Sequence, residues 1–273
     1  MSGQDFHYLS PLIFPVFPAE IGEVEMAFDL QRSIDADARA PVDVALECHL
    51  QLFCEGALVS EERINAVVRD GRVEPRLLLR NYTLPQPGYV QLTITADRPY
   101  FRLILTNQGY VFVKRPNGGV LTLDSAYKYS VQVITDQMRE TGSFCLVHPA
   151  HFVSAARDIG NSVLIVNPFD GPIVARMAIA GGNERRERVS ARCARVIALQ
   201  RLLPDDRFTC VMYSGNNRYP AWDLRHALSD PARIHRIDHI EYYRANPNIR
   251  PDRVVTVAKA VVRRSLRKFG VWF

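Results

Sequence analysis

The feature that most constrains this chain is a rhythm of short apolar runs, each closed by glycine, proline, asparagine or aspartate. It is plainest in residues 161–182, NSVLIVNPFDGPIVARMAIAGG. Residues 163–166 read as a buried strand, 167–172 as a turn and 173–179 as a second strand. Pro168 and Pro172 have no N–H to give a ladder, so they mark where the strands stop. Asp170-Gly171 supplies turn chemistry. Residues 23–30, 42–53, 63–68, 77–82, 89–96, 100–105, 110–114, 121–123 and 128–135 read the same way, as do 144–147, 187–191, 195–199 and 208–214 later in the chain. Asp70-Gly71 is a hairpin signal between two of these runs. Short strands at this spacing point to sandwiches or barrels.

The two groups of runs match one another. LLLRNYTLP (77–85) aligns with VIALQRLLP (196–204), 119 positions later, and the same shift carries Tyr89 onto Phe208 and Val44 onto Val163. Self-similarity at a fixed offset predicts two copies of one domain, and 273 residues hold two domains of ordinary size. The expected fold is mainly β: two tandem antiparallel β-sandwich domains, an internal repeat, followed by a basic amphipathic helix. The boundaries are an N-terminal arm rich in aromatics and proline (1–20), a first sandwich (21–138), a second (139–245) and a C-terminal helix and tail (246–273).

VLIVNPFDGPIVARMAIAGG, VIALQRLL and RFTCVMYSGNNRYPAW together resemble the β-sandwich of the sensory rhodopsin transducer family. The resemblance spans about 60 residues of the second half. It places Asn167 at an asparagine-centred turn and residues 214–220 in a proline-bearing loop. It implies a small sandwich that associates and binds partners, and it does not imply catalysis.

The net charge of +5 is concentrated. Arg250, Arg253, Lys259, Arg263, Arg264, Arg267 and Lys268 face one acid in their segment, Asp252, so the remaining chain is close to neutral. This argues against a body built to bind nucleic acid. Within the segment, Val254, Val255, Ala258, Val261, Val262 and Leu266 recur at helical spacing. Pro251 suits the first turn of that helix and Asp252 its positive end. Lys259, Arg263, Arg264, Arg267 and Lys268, with Trp272 and Phe273, make a surface for a protein partner, an acidic surface or peripheral contact with an anionic membrane. The competing reading is a helix that covers the second sandwich and turns its charges to water.

The five cysteines are odd in number and form no CxxC, so neither a disulfide framework nor a zinc framework is indicated. The N-terminus lacks a basic region followed by a long apolar one, and no run reaches the ~18 apolar residues of a membrane span. A cytoplasmic setting is therefore expected, and no cofactor is.

Chemistry is sparse. GxSxG, GxGxxG and GxxxxGK[ST] are all absent. His148 and His151 lie near Cys145, but the proline between the histidines breaks any helical face. His235 and His239 are spaced as on a zinc-binding helix, without the HExxH glutamate. Tyr213, Tyr219 and Trp222, with Asn216, Asn217 and Arg218, make a second candidate. Aromatic faces stack on sugar rings while amides and arginine hydrogen-bond to hydroxyls. The competing reading is a set of aromatics closing the end of the sandwich. The expectation is a non-catalytic interaction protein that docks through its basic helix and sandwich loops, with homo-oligomers as a further option. The alternatives are a carbohydrate-binding or polysaccharide-processing accessory protein and a metal-dependent enzyme at His235 and His239.

Overall fold

The structure, a computed structural model, describes residues 6–7, 12–18, 23–28, 43–69, 72–74, 84–96, 109–114, 118–123, 127–128, 146–179, 182–215 and 219–240. Among these the chain is mainly β, arranged in several antiparallel sheets. The first half holds β1 (Phe6–His7), β2 (Leu12–Val16), β3 (Glu23–Phe28), β4 (Asp43–Cys54), β5 (Ala57–Arg69), β6 (Arg72–Glu74), β7 (Gly88–Ala96), β8 (Gly109–Lys114), β9 (Val120–Leu123) and β10 (Tyr127–Lys128). The second half holds β11 (Leu146–His151), β12 (Ile159–Asn167), β13 (Ile173–Ile179), β14 (Glu184–Val189), β15 (Cys193–Ala198), β16 (Thr209–Gly215), β17 (Ala221–Ala227) and β18 (Ile234–His239).

Local chemistry explains the joints. The β4–β5 hairpin turns on Glu55 (φ 49°) and Gly56 (φ 85°), the paired left-handed conformation that a tight two-residue turn demands. β13 alternates as its sequence does: Ile173, Ala175 and Met177 are buried, while Val174 and Arg176 face outward. β12 is buried along almost its whole length, as a continuous apolar run requires.

The strand orders are β10-β2-β7-β4-β5-β6 (with β1 on β7), β3-β8-β9, β11-β16-β13-β14 and β15-β12-β17-β18. The pairing order therefore recurs: β2-β7-β4-β5 matches β11-β16-β13-β14, and β3-β8-β9 matches β12-β17-β18. This corrects part of the alignment drawn from sequence. Val44, on β4, corresponds by pairing to β13, whereas Val163 lies on β12, whose counterpart is β3. Two apolar strand patterns match at any even shift, so periodicity alone does not fix the alignment. The match of 84–96 with the stretch leading into β16 does agree with the pairing. Residues 12–16, expected in an arm, form β2 between β10 and β7. The expected C-terminal helix lies outside the described residues.

In the second half, both sheets feed one core. Val163 and Ile165 of β12, Met177 of β13, Ile197 of β15, Val211 and Tyr213 of β16 and Ala221 of β17 belong to a single buried cluster. The sheet β15-β12-β17-β18 is covered on its other face too. Leu164 and Val166 of β12 and Trp222 and Leu224 of β17 are also buried. β15 approaches β4 and β7, and β18 approaches β9, so sheets of the first half lie against it.

The joint between the halves is polar at its rim. Arg192 lies in the turn before β15, with φ 54°. Its guanidinium sits 5.3 Å from the centre of the Phe53 ring. It is 2.8 Å from Asp170 and reaches Gln91 Oε1 at 3.4 Å. Cys48, Cys54, Cys193 and Cys210 are free thiols. No helix among the described residues is long and apolar enough to cross a membrane.

Candidate functional site

The aromatics expected to form a sugar-stacking surface are inside. Tyr213 and Trp222 are fully buried and Tyr219 is 2 % exposed, so none offers a ring face to a ligand. Tyr213 lies on β16, within the strand expected at 208–214, and Trp222 lies on β17. The Tyr219 hydroxyl donates to the Ser214 carbonyl at 2.9 Å, which closes the end of the core. Asn216, Asn217 and Arg218 lie outside the described residues, as do Lys259, Arg263, Arg264, Arg267, Lys268, Trp272 and Phe273.

Tyr213 instead belongs to a buried polar array. His151 Nδ1 lies 2.9 Å from Asp223 Oδ1 and 2.8 Å from Asn161 Oδ1. Two oxygens on that side place the ring proton on Nδ1. Nε2 is then an acceptor, and the Tyr213 hydroxyl donates to it at 2.5 Å. Asn161 Nδ2 donates to Asp223 Oδ1 at 2.8 Å. His151, Asn161, Tyr213 and Asp223 are all 0 % exposed. Burial, with Asp223 nearby, holds the Tyr213 phenol well above its ordinary range. An acid, an imidazole and a hydroxyl in line resemble a proton relay. Sealed from solvent, they fix β11, β12, β16 and β17 in register instead.

The metal candidates separate. His235 and His239 lie on β18, a strand and not a helix. Four residues along a strand span ~13 Å, whereas two ligands on one zinc ion are no more than ~4 Å apart. His235 also falls where the β17–β18 register shifts, and it is exposed. Among the described residues no three His, Cys, Asp or Glu side chains converge for a metal.

What the structure does assemble is an arginine-rich edge. β13 and β14 pair so that Arg176 lies directly opposite Arg186 and Val174 opposite Arg188. Like charges face to face are destabilising, and Glu184 bridges them, 2.5 Å from Arg176 and 2.6 Å from Arg186. Hydrogen bonds from Arg176 and then Arg186 hold the Glu184 carboxyl below its ordinary range.

β14 and β15 end the two sheets at this side, and each strand's arginine caps the other's backbone. Arg185 Nη1 donates to the Ala198 carbonyl at 2.5 Å, and Arg195 Nη1 donates to the Arg188 carbonyl at 3.0 Å. Arg185 also donates to Glu187 through Nε at 2.8 Å and Nη2 at 2.5 Å. The guanidinium groups of Arg188 and Arg201 meet no carboxylate among the described residues. A cleft of about 510 Å³ opens beside this edge, lined by Arg185, Ala198, Gln200 and Arg201.

The run ERRER at 184–188, followed by Arg192, Arg195 and Arg201, carried this signal in the sequence. Averaging the charge over everything before residue 250 concealed it, because acids elsewhere cancel it. Comparison with known proteins returns no family model, no curated protein and no solved structure similar to the chain.

Proposed function

We propose that this is a non-catalytic binding protein, built of two β-sandwiches, whose second unit docks an acidic protein surface along the β13–β14–β15 edge. One observation carries the reading. Arg176, Arg185, Arg186, Arg188, Arg195 and Arg201 gather at one edge with only Glu184 and Glu187 among them. Arg186 and Arg188 stand on one face, ~7 Å apart along the strand, matching alternate carboxylates on an extended chain. Val174, 39 % exposed, adds apolar contact between the charges. The resemblance to the sensory rhodopsin transducer family, whose sandwiches bind partners, points the same way. The basic C-terminal segment would add to the same electrostatic attraction.

The test is binding of a glutamate-rich peptide by the full chain and by its Arg186→Glu/Arg188→Glu double variant. The reading expects affinity to fall at least ~10-fold in the variant, and to weaken in the parent as salt shortens the screening length from ~10 Å toward ~3 Å. Equal affinity in parent and variant would refute it. Tighter binding to single-stranded nucleic acid than to the peptide would assign the edge to a different partner class and refute it as well.

A further inference from the structure

We propose, resting on the docking reading above, that the first half of the chain positions the arginine edge. It acts through the corner where the second half passes from one sheet to the other, and Asn167 and Arg192 are the positioning residues.

The docking edge does not belong to one sheet. β14 ends the sheet β11-β16-β13-β14, and β15 ends the sheet β15-β12-β17-β18. Arg185, Arg186 and Arg188 therefore stand on one sheet and Arg195 on the other. Residues 190–192 carry the chain across. An acidic segment that engages both strands needs their separation fixed beforehand, because ordering the groups on binding subtracts from affinity.

The corner is tied from two sides. Asn167, 0 % exposed at the end of β12, directs Nδ2 at the carbonyls of Ser190 (2.8 Å), Gly171 (2.9 Å) and Val189 (3.1 Å), and its Oδ1 accepts from the Phe169 N–H at 3.0 Å. It thereby fastens the turn after β12 to the corner. The Arg192 N–H adds a bond to the Phe169 carbonyl at 3.1 Å, and Arg192 Nε donates to Asp170 at 2.9 Å. From the other side the first half closes on the same corner. The Phe53 ring under the Arg192 guanidinium is itself stacked on the buried Tyr89, with ring centres 5.2 Å apart. The β4–β5 turn comes so near that a Cβ on Gly56 would stand 3.2 Å from the Ala191 carbonyl oxygen and 3.7 Å from Cys193 Sγ. Arg192 is thus the one side chain that grips Asp170 of the second half and Phe53 and Gln91 of the first at once.

The experiment titrates full-length variants with the glutamate-rich peptide, at a temperature where circular dichroism shows each to be folded. Arg192→Lys keeps the charge but loses the planar fork that reaches Asp170 and Gln91 together. Phe53→Leu keeps apolar bulk and removes the ring beneath the guanidinium. Each is expected to weaken peptide binding ~3-fold or more, although Phe53 lies in the half without the docking arginines. Arg236→Ala, on β18 at the opposite border of the sheet from β15, removes a charge away from the corner and should stay within about 2-fold. A residue that only stabilises the fold would lower the melting temperature and leave the affinity of the folded chain unchanged. The proposal is overturned if either Arg192→Lys or Phe53→Leu binds the peptide as tightly as the parent does. A peptide that fails to bind the parent removes the docking reading and this one with it. A peptide that binds the parent, is lost by the Arg186→Glu/Arg188→Glu variant and binds both corner variants unchanged leaves docking standing and overturns the positioning alone.

Discussion

Replacing Tyr213 by phenylalanine tests the buried array with little other disturbance. The ring is 0 % exposed, and phenylalanine keeps all of it, so packing and apolar burial change little. What goes is the hydroxyl that donates to His151 Nε2 at 2.5 Å. The bond to Nε2 is lost inside the core, where His151 is also 0 % exposed. His151 cannot turn away to find another donor, because Asp223 and Asn161 hold its Nδ1 at 2.9 Å and 2.8 Å. Stranding a buried acceptor costs about 1–3 kcal/mol. At about 2–4 °C per kcal/mol for a chain of this size, the melting temperature should fall by roughly 2–12 °C. Urea denaturation followed by circular dichroism should show a lower midpoint with an unchanged slope, because the same surface is exposed on unfolding. A variant within about 0.5 kcal/mol of the parent, the range of an ordinary surface substitution, would refute the claim that this bond holds the four strands together.

Two further outcomes follow from titratable groups. Asp158 accepts from the Ser229 hydroxyl and backbone N–H, both at 2.7 Å, which hold its carboxyl below the ordinary range. A lowered folded pKa stabilises at neutral pH and loses that contribution as pH falls through the folded value. Ser229→Ala should therefore raise the Asp158 pKa in an NMR titration, and an unshifted curve would contradict the assignment. Burial, with Glu47 beside it, pushes the Cys48 thiol up to about 12, whereas Cys210 is exposed. Iodoacetamide at neutral pH should alkylate Cys210 in the native chain and spare Cys48 until denaturant is added, as mass spectrometry would reveal; early modification of Cys48 would contradict this.

The sequence carried the strands well where burial is one-sided or complete. β13 alternates in composition and in exposure, and β12 is an apolar run that ends up buried. It misled where side chains were judged by their neighbours in the chain. AWDLRHA carries an acid, an arginine and a histidine, yet β17 is buried because Asp223 and His226 find partners 62 and 64 positions away in Asn161 and Ser162. Spacing rules do not reach that far. The His235/His239 reading assumed a helical period, and a strand sets the two positions ~13 Å apart along the backbone. The arginine edge was legible as local charge, but which guanidinium groups converge depended on β13–β14 register and on the approach of β15, which pairs with a different sheet.

The sheet β15-β12-β17-β18 has no wet side along its two central strands, and this sets what mutation can do there. On β13 a charge at Val174 or Arg176 points at water, while the same charge at Ala175 enters a core, so tolerance should alternate along the strand. Along β12 and β17 that alternation disappears, since Val163 and Leu164, or Ala221 and Trp222, are closed off equally. A saturation library selected for folding would therefore trace these strands as unbroken intolerant blocks, and their neighbours as a picket fence. The same geometry discourages inheritance of the second half by itself. A gene fragment starting near β11 would encode a sheet whose outer strands, β15 and β18, have lost the neighbours they meet in β4, β7 and β9, an exposed flank unless a substitute cover evolves with it.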